Sequence, residues 1–367
     1  MARIDAAVLY EAGQPLQVEQ ISIDDPGPGQ VMVRLVASGL CHTDWSVMSA
    51  QRPHPLPVVL GHEGAGVVEA VGDGVTQVQR GDPVICSWAP NCGCCFYCDH
   101  DLPFWCNEWT QSASAGTLFD GKVRLSKDGE AIHHFTTVSS HAQCCVIEQA
   151  SAVPIHRDMP LDRACLIGCA VMTGYGAVVR HASVEAGESV AVFGCGGVGL
   201  NVVQTACMVG AGPIIAVDVN KQKLTWATEF GATHTLNAAE EAVEEIRKLT
   251  HGRGVDYSFE AAGHPEPLKQ AIEAARPGGR VVLLGAGAHD AQIIMPYNIF
   301  RGDKTITRLT YGQGRPRIDF PRIVELYMNG KLKLDELITA QMPLERINDG
   351  FEQMVNGNVI RAIVTFG

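Results

Sequence analysis

"GCGGVGLNVVQTACMVGAGPIIAVD", residues Gly194–Asp218, carries no charge until its last position. It can be read as a membrane span, a buried core or a cradle for a phosphate. A membrane helix needs about 20 continuous apolar residues. Here Gly194, Gly196, Gly197, Gly199, Gly210 and Gly212 interrupt the run, and Pro213 sits inside it. Three pieces fit better. The preceding "SVAVF" (Ser189–Phe193) reads as a buried strand, "GLNVVQTACMVG" as a helix beginning at Gly199, and "IIAVD" as the next strand. Strand, glycine turn, helix and strand make a βαβ unit.

Gly194, Gly196 and Gly199 then spell G-x-G-x-x-G between strand and helix. The first glycine permits the turn, the second admits a pyrophosphate, and the third lets the helix pack against the strand. Gly197 and Val198 complete the loop. The free N–H groups of the helix start and its partial positive charge suit a phosphate. Asp218 follows Gly199 at about the spacing of the acidic residue that holds an adenosine ribose. A carboxylate there accepts bonds from both ribose hydroxyls and repels a 2′-phosphate, so NAD is expected over NADP. Further on, "LTWATEFGA" reads as a helix, "VDYSFEAAG" as strand and turn, "PLKQAIEAARPGG" as a helix, and "RVVLLGAG" as a buried strand. Alternating strands and helices predict an α/β fold with a doubly wound parallel sheet over about residues 171–310.

The whole chain sets bounds on this reading. At 367 residues it fits two domains, and 46% hydrophobic with 19% charged residues gives ample core. A net charge of -12 disfavours nucleic-acid binding, which needs clustered cations. The start, Met-Ala-Arg-Ile-Asp, shows no signal-peptide pattern. The 13 cysteines are therefore expected to be reduced, as metal ligands or buried thiols, in a cytoplasmic protein.

The N-terminal part, about 1–170, has short β-like runs between glycine and proline turns: "EAGQPLQVEQI", "QVMVRLVASGL", "EGAGVVEAVGDGV". Within it "NCGCCFYCDHDLPFWC" spaces Cys92, Cys95, Cys98 and Cys106 as C-x2-C-x2-C-x7-C. Four thiolates can close a tetrahedron around zinc with no open position, a structural site. Cys94 falls out of phase and is spare. An iron–sulfur cluster is the other four-cysteine candidate. Three further stretches are scattered: "GLCHTDWS" (Gly39–Ser46), "GHEGAG" (Gly61–Gly66) and "GCAVMTGYG" (Gly168–Gly176). Taken singly, Cys41 and Cys169 read as buried thiols and His62 as a core histidine.

Taken together with the dinucleotide motif, these stretches resemble the zinc-dependent medium-chain alcohol dehydrogenases over essentially the whole chain. The resemblance implies a GroES-like catalytic domain (1–170 and 311–367) with a zinc lobe, an NAD-binding Rossmann domain (171–310), and an active site in the cleft between them. It implies two zincs per chain. Cys41, His62 and Cys169 match the ligands of a catalytic zinc, and the lobe cysteines match a structural one. Thr43 matches the hydroxyl that takes the alcohol proton, Asp44 the carboxylate that orients the histidine ligand, and Glu63 the acid behind the metal. His42 and Arg361 match pyrophosphate contacts, Lys223 a ribose contact, and Thr173 and Val198 the nicotinamide pocket. Trp88, Trp105 and Phe135 align with substrate-channel positions, and Ala286 replaces a bulkier aliphatic residue.

One departure is Ser46, which stands where the family often has a proton-relay histidine. Serine is no base near neutral pH. The aromatic positions favour primary aromatic or medium-chain alcohols and their aldehydes. The long segment between Cys106 and Cys144 matches a dimeric branch, which predicts a homodimer. That branch includes glutathione-dependent formaldehyde dehydrogenases, so a thiol adduct is the second substrate reading. Thr110 here replaces that branch's arginine for the glutathione carboxylate. A catalytically silent NAD-binding relative is the reading of another class; the retained zinc ligands and Thr43 argue against it. No nucleic-acid or membrane partner is expected.

Overall fold

A computed structural model describes residues 1–239, 241–287 and 292–367. The chain divides into two compact units. One comprises Met1–Cys169, Arg315–Asn329 and Leu334–Gly367; the other comprises Ala170–Gly314 and Gly330–Lys333. Residues 311–314 and 330–333 thus fall to the second unit, not to the first as the sequence suggests. The reason is close packing. A Cβ on Gly176 would stand 2.2 Å from the Gly312 carbonyl oxygen, and the Gln204 side chain accepts from the Lys333 amide at 2.8 Å.

The second unit carries a six-stranded sheet. Its order is His234–Asn237, Ile214–Asp218, Val190–Phe193, Val255–Glu260, Ala275–Leu283, Thr305–Arg308. Every pairing is parallel, and the order reverses beside the first strand, the doubly wound pattern. These strands lack polar alternation because helices cover both faces: Val190–Phe193 and Ile214–Asp218 are buried throughout. The core packs Phe193, Ile215, Val217, Ile246, Ile272 and Val281.

Boundaries moved modestly. The first helix spans Gly197–Met208, two residues earlier than the motif suggested, because extended Gly196 acts as its N-cap. The next helix is Lys221–Glu229, opened by the Asn220 side chain accepting from Gln222 N at 2.9 Å. The helix Pro265–Ala274 stops short of Pro277, and the strand Ala275–Leu283 takes up the Pro-Gly-Gly residues.

The first unit is largely β. Ala2–Leu9, Gln17–Ile23, Leu125–Lys127, Glu130–His134 and Val58–Val59 close a small barrel. Gln30–Gly39 is central in a second sheet, paired antiparallel with Glu63–Val71, Cys144–Glu148 and Arg361–Thr365. Among the described residues no single helix is long and apolar enough to cross a membrane.

Candidate active site

Strand register brings the scattered motifs of the first unit together. Gly39 pairs with Glu63, so Cys41, just past one strand, meets His62, just before its neighbour. Cys169 follows the 3₁₀ turn Cys165–Gly168, whose last glycine packs tightly on this corner. A Cβ on Gly168 would stand 3.1 Å from the Cys86 carbonyl oxygen and 3.5 Å from Glu63 Cα. Ligand atoms of Cys41, His62, Glu63 and Cys169 all lie within 4.8 Å of one another, and all four residues are buried.

Asp44 organises this corner. It sits in the first turn of the helix His42–Met48, which Cys41 caps. Its Oδ2 accepts from Cys41 N at 3.1 Å. Its Oδ1 accepts from Gly61 N at 3.1 Å and from His62 Nδ1 at 3.0 Å. A carboxylate only accepts, so Nδ1 carries a proton toward it and Nε2 is the nitrogen open to a metal.

The electrostatics suit a cation. The Cys41 thiol is held well below its ordinary range, chiefly by a hydrogen bond from Cys169, with His62 adding to the effect against burial. Cys169 is correspondingly raised by that bond and by burial. Burial pulls His62 down, but Asp44 and Cys41 outweigh it and hold the imidazole well above its usual value. Burial raises Glu63 to about 8, opposed first by Arg361. Arg361 Nη2 donates to Glu63 Oε2 at 2.5 Å, a buried pair. Glu63 Oε1 and Arg361 Nε are buried with no hydrogen-bond partner among the described residues. Two thiol ligands, an imidazole whose Nε2 proton a metal can displace and an orphaned carboxylate oxygen fit a zinc ion.

Of the other positions predicted here, Thr43 stands beside the cluster, its Oγ1 3.6 Å from Cys41 Sγ. His42 is exposed. Ser46 Oγ donates to the Thr43 carbonyl at 2.7 Å, so its hydroxyl is committed to the helix backbone. Phe135, fully buried, presents its edge to His62 at 5.8 Å between ring centroids. Trp88 meets His62 at 6.4 Å and 89°. Trp105 differs: it is 45% exposed, on the short turn before Cys106. The indole that packs on Trp88, at 5.3 Å, is Trp109, which the sequence reading missed. Its signal was its place one turn into the helix Asn107–Ala115, which turns it inward.

The lobe gathers Cys92, Cys95, Cys98 and Cys106, again within 4.8 Å. Cys95 and Cys98 sulfurs are 3.5 Å apart, Cys92 and Cys98 4.0 Å. A zinc–thiolate tetrahedron with bonds of about 2.3 Å has edges of about 3.8 Å. Backbone amides aim at these sulfurs: Cys92 N donates to Cys106 Sγ at 3.3 Å, and amides of Asn107 and Cys98 draw Cys95 down to about 6. Burial pushes Cys106 up to about 12. Cys94 is exposed, its sulfur 3.8 Å from Cys92 Sγ and outside the four-atom group.

In the second unit, the glycine loop has the shape its motif requires. Gly194 has φ of +95°, and a Cβ on Gly199 would stand 1.8 Å from the Gly194 carbonyl oxygen. A Cβ on Gly196 would meet nothing within 4 Å, so space is open above the helix start Gly197–Val198. Asp218, 8% exposed, accepts from Cys195 N at 2.8 Å and Asn220 N at 2.9 Å. One bond per oxygen leaves lone pairs for ribose hydroxyls. These features fit a dinucleotide. Lys223 lies half-buried in the following helix, Thr173 is buried in the helix Ala170–Gly176, and Ala286 is exposed.

Comparison with known proteins agrees with this geometry. Residues 27–157 match the alcohol dehydrogenase GroES-like domain and residues 197–329 the zinc-binding dehydrogenase domain. The chain is 39% identical to an S-(hydroxymethyl)glutathione dehydrogenase of Aspergillus oryzae, covering 98% of this chain and 95% of that protein. It is 38% identical to a class-3 alcohol dehydrogenase of Cereibacter sphaeroides, over 99% and 100%. The crystal structure of benzyl alcohol dehydrogenase from Acinetobacter calcoaceticus superposes with a TM-score of 0.94 at 32% identity, over all of both chains.

Proposed function

The chain belongs to the zinc-dependent medium-chain alcohol dehydrogenases, and from that premise we propose that this NAD-dependent alcohol dehydrogenase oxidises primary aromatic or medium-chain alcohols to aldehydes, reversibly. The observation that carries the substrate reading is Trp88, the part-exposed indole set edge-on to the ligand His62 and backed by Trp109. Flat or extended apolar groups gain most from such a surface.

When bound, zinc acidifies an alcohol hydroxyl and the nicotinamide accepts hydride. The chain's residues supply the rest. Cys41, His62 and Cys169 hold the metal, and the Asp44 bond fixes His62 with Nε2 facing it. Thr43 Oγ1 takes the alcohol proton. Ser46 is turned into the helix, so the proton leaves by water rather than by a side-chain base. The Glu63–Arg361 pair keeps a carboxylate next to the ligands without a full uncompensated charge. Gly194–Gly199 seat the pyrophosphate, and Asp218 and Lys223 hold the ribose. Thr173 and Val198 border the nicotinamide. Each chain holds two zincs, the second clamped by Cys92, Cys95, Cys98 and Cys106. The 13 free cysteines support a reducing, cytoplasmic setting.

Homodimerisation is supported by the second unit. Thr305–Arg308 is an edge strand, and in the segment that precedes it in the chain Ile294 and Tyr297 are each 92% exposed, with Ile293 and Phe300 half-exposed. Such an edge suits a second copy of the chain.

The second substrate reading is S-hydroxymethylglutathione, favoured by the name of one curated relative. A panel of ethanol, hexan-1-ol, benzyl alcohol and S-hydroxymethylglutathione, assayed by NADH formation, separates the two. Highest kcat/KM for benzyl alcohol or hexan-1-ol supports the first reading; highest for the glutathione adduct overturns it.

A further inference from the structure

The second unit carries a cavity that the alcohol chemistry does not use. Its volume is about 430 Å³, and it is lined by Arg247, Lys269, Arg301 and Lys304, with Glu273 as the only acid among its described lining residues. Its place in the sheet follows from chain order. Arg247 stands in the last turn of the helix Ala242–Leu249, which leads to the strand Val255–Glu260. Glu273 stands in the last turn of Pro265–Ala274, which leads to Ala275–Leu283, and Lys304 immediately precedes Thr305–Arg308. These strands run parallel to one another and to Val190–Phe193, so the cavity lies at the amino end of the sheet. Gly194–Gly199 follows the carboxyl end of Val190–Phe193. The cavity is therefore at the opposite edge from the dinucleotide loop.

The four cations are not equivalent. A helix leaves its last carbonyl groups without partners of its own. Two of the four meet that need at the end of Pro265–Ala274: Lys304 Nζ donates to the Ile272 carbonyl, and Arg247 Nη2 to the Glu273 carbonyl at 3.5 Å. These bonds hold both side chains at the cavity. Arg247 also lies 3.7 Å from Glu244, an exposed pair of little strength. The other two cations have no such task. Among the described residues Lys269 and Arg301 pair with no carboxylate and make no side-chain hydrogen bond. Four cations against one carboxylate leave a surplus of three positive charges, in a chain whose net charge is -12. Burial, and then the charge of Arg247, hold Lys304 below the ordinary ammonium range, with Glu273 opposing. Charge of one sign gathered in a concavity focuses its field and draws a counter-ion there.

We propose that Arg247, Lys269, Arg301 and Lys304 form a binding site for a compact organic anion carrying two phosphate groups, separate from the cofactor and alcohol sites. A phosphate monoester carries about 1.5 to 2 negative charges near neutral pH, so one group leaves part of the surplus unmet and two cover it. Arg247 and Arg301 offer planar forks to phosphate oxygens, and Lys269 and Lys304 add point charges. Lys304 keeps two donors beyond its carbonyl bond. Among the described lining residues none is aromatic, so a nucleotide base has no ring to stack on. A sugar or polyol bisphosphate is thus expected over a nucleotide.

The test uses the full-length, zinc-loaded protein with NADH at saturation, so that the dinucleotide loop is occupied. Fructose 1,6-bisphosphate is the probe, titrated in a calorimeter, with fructose 6-phosphate as the control that carries one phosphate. The bisphosphate is expected to bind at one site per chain, about ten-fold or more tighter than the monophosphate, the size of one charge-assisted bond. Lys269→Ala and Arg301→Ala remove cations that have no structural partner. Each should weaken the bisphosphate by about ten-fold and leave alcohol turnover unchanged. Lys331→Ala, which removes an exposed cation elsewhere on the same unit, should leave the affinity as it is. Rising salt should loosen the bisphosphate. Equal affinity for the two fructose phosphates, a Kd that neither Lys269→Ala nor Arg301→Ala changes, or saturable heat that appears only without NADH overturns the inference. So does the absence of saturable binding at millimolar probe.

Discussion

Asp44 offers the sharpest test of how this site is built. Its carboxylate takes three bonds, from Cys41 N, Gly61 N and His62 Nδ1, and it is completely buried. Asp44→Ala orphans two buried amides and releases the imidazole. Each hydrogen bond to a charged group is worth about 1.5–3 kcal/mol, and each orphaned buried donor costs about 1–3 kcal/mol. Some of this relaxes, so a loss of about 4–5 kcal/mol is expected, the top of the range for single substitutions. Asp44→Asn is milder and more informative. With its oxygen placed at Oδ1 it still accepts from Gly61 N and His62 Nδ1. Its NH₂ then faces the Cys41 amide, donor to donor, and one bond is lost. About 2 kcal/mol is expected. In both variants zinc affinity and kcat/KM should fall, by about 10–100-fold when the histidine loses its orienting partner. Denaturant unfolding of the zinc-loaded proteins gives the stabilities, and chelator competition gives the affinities. If Asp44→Ala unfolds within about 1 kcal/mol of the wild type and keeps its zinc, the orienting role assigned to Asp44 is wrong.

Four further outcomes follow from other parts of the structure. Asp218→Ala should narrow the preference for NAD over NADP, and equal kcat/KM for the two cofactors in the wild type would contradict the ribose reading. Metal analysis should find two zincs per chain, and Cys98→Ser should lose one and destabilise the fold; active, folded protein holding a single zinc would refute the lobe assignment. Against Trp88 each buried methylene contributes about 0.8 kcal/mol, so kcat/KM should climb by about two to three powers of ten from ethanol to hexan-1-ol or benzyl alcohol, and a flat series would deny the indole its role. Burial holds His134 neutral, its pKa lowered to about 3, while its Nε2 accepts from Arg124 N at 3.0 Å. The unfolded chain takes up that proton below about pH 6.5 and the folded one does not until about pH 3. Stability should therefore drop as pH falls through this window, by up to about 1.4 kcal/mol per pH unit from this group. His134→Gln should flatten that limb in acid-unfolding curves, and an unchanged slope would rule the group out.

The sequence by itself determined whatever depends on neighbours along the chain. Glycine spacing, buried strands on either side and Asp218 at the right distance are local facts, and local backbone physics turns them into one βαβ unit. The lobe cysteines lie within 15 residues, close enough for spacing to imply a tetrahedron. The scattered stretches were legible only through their resemblance to a family, because Cys41, His62 and Cys169 are far apart in sequence and each is an ordinary buried residue alone. Tertiary structure decided the rest. Pairing of Gly39 with Glu63 set Cys41 beside His62, and the Asp44 bond left Nε2 as the imidazole nitrogen open to a metal. The partnership of Glu63 with Arg361, nearly 300 positions later, had no local signal, since it exists only because Arg361–Thr365 pairs with Gln30–Gly39. Trp109 replaced Trp105 behind Trp88 for a similar reason: a turn of helix aims one indole inward and leaves the other in solvent.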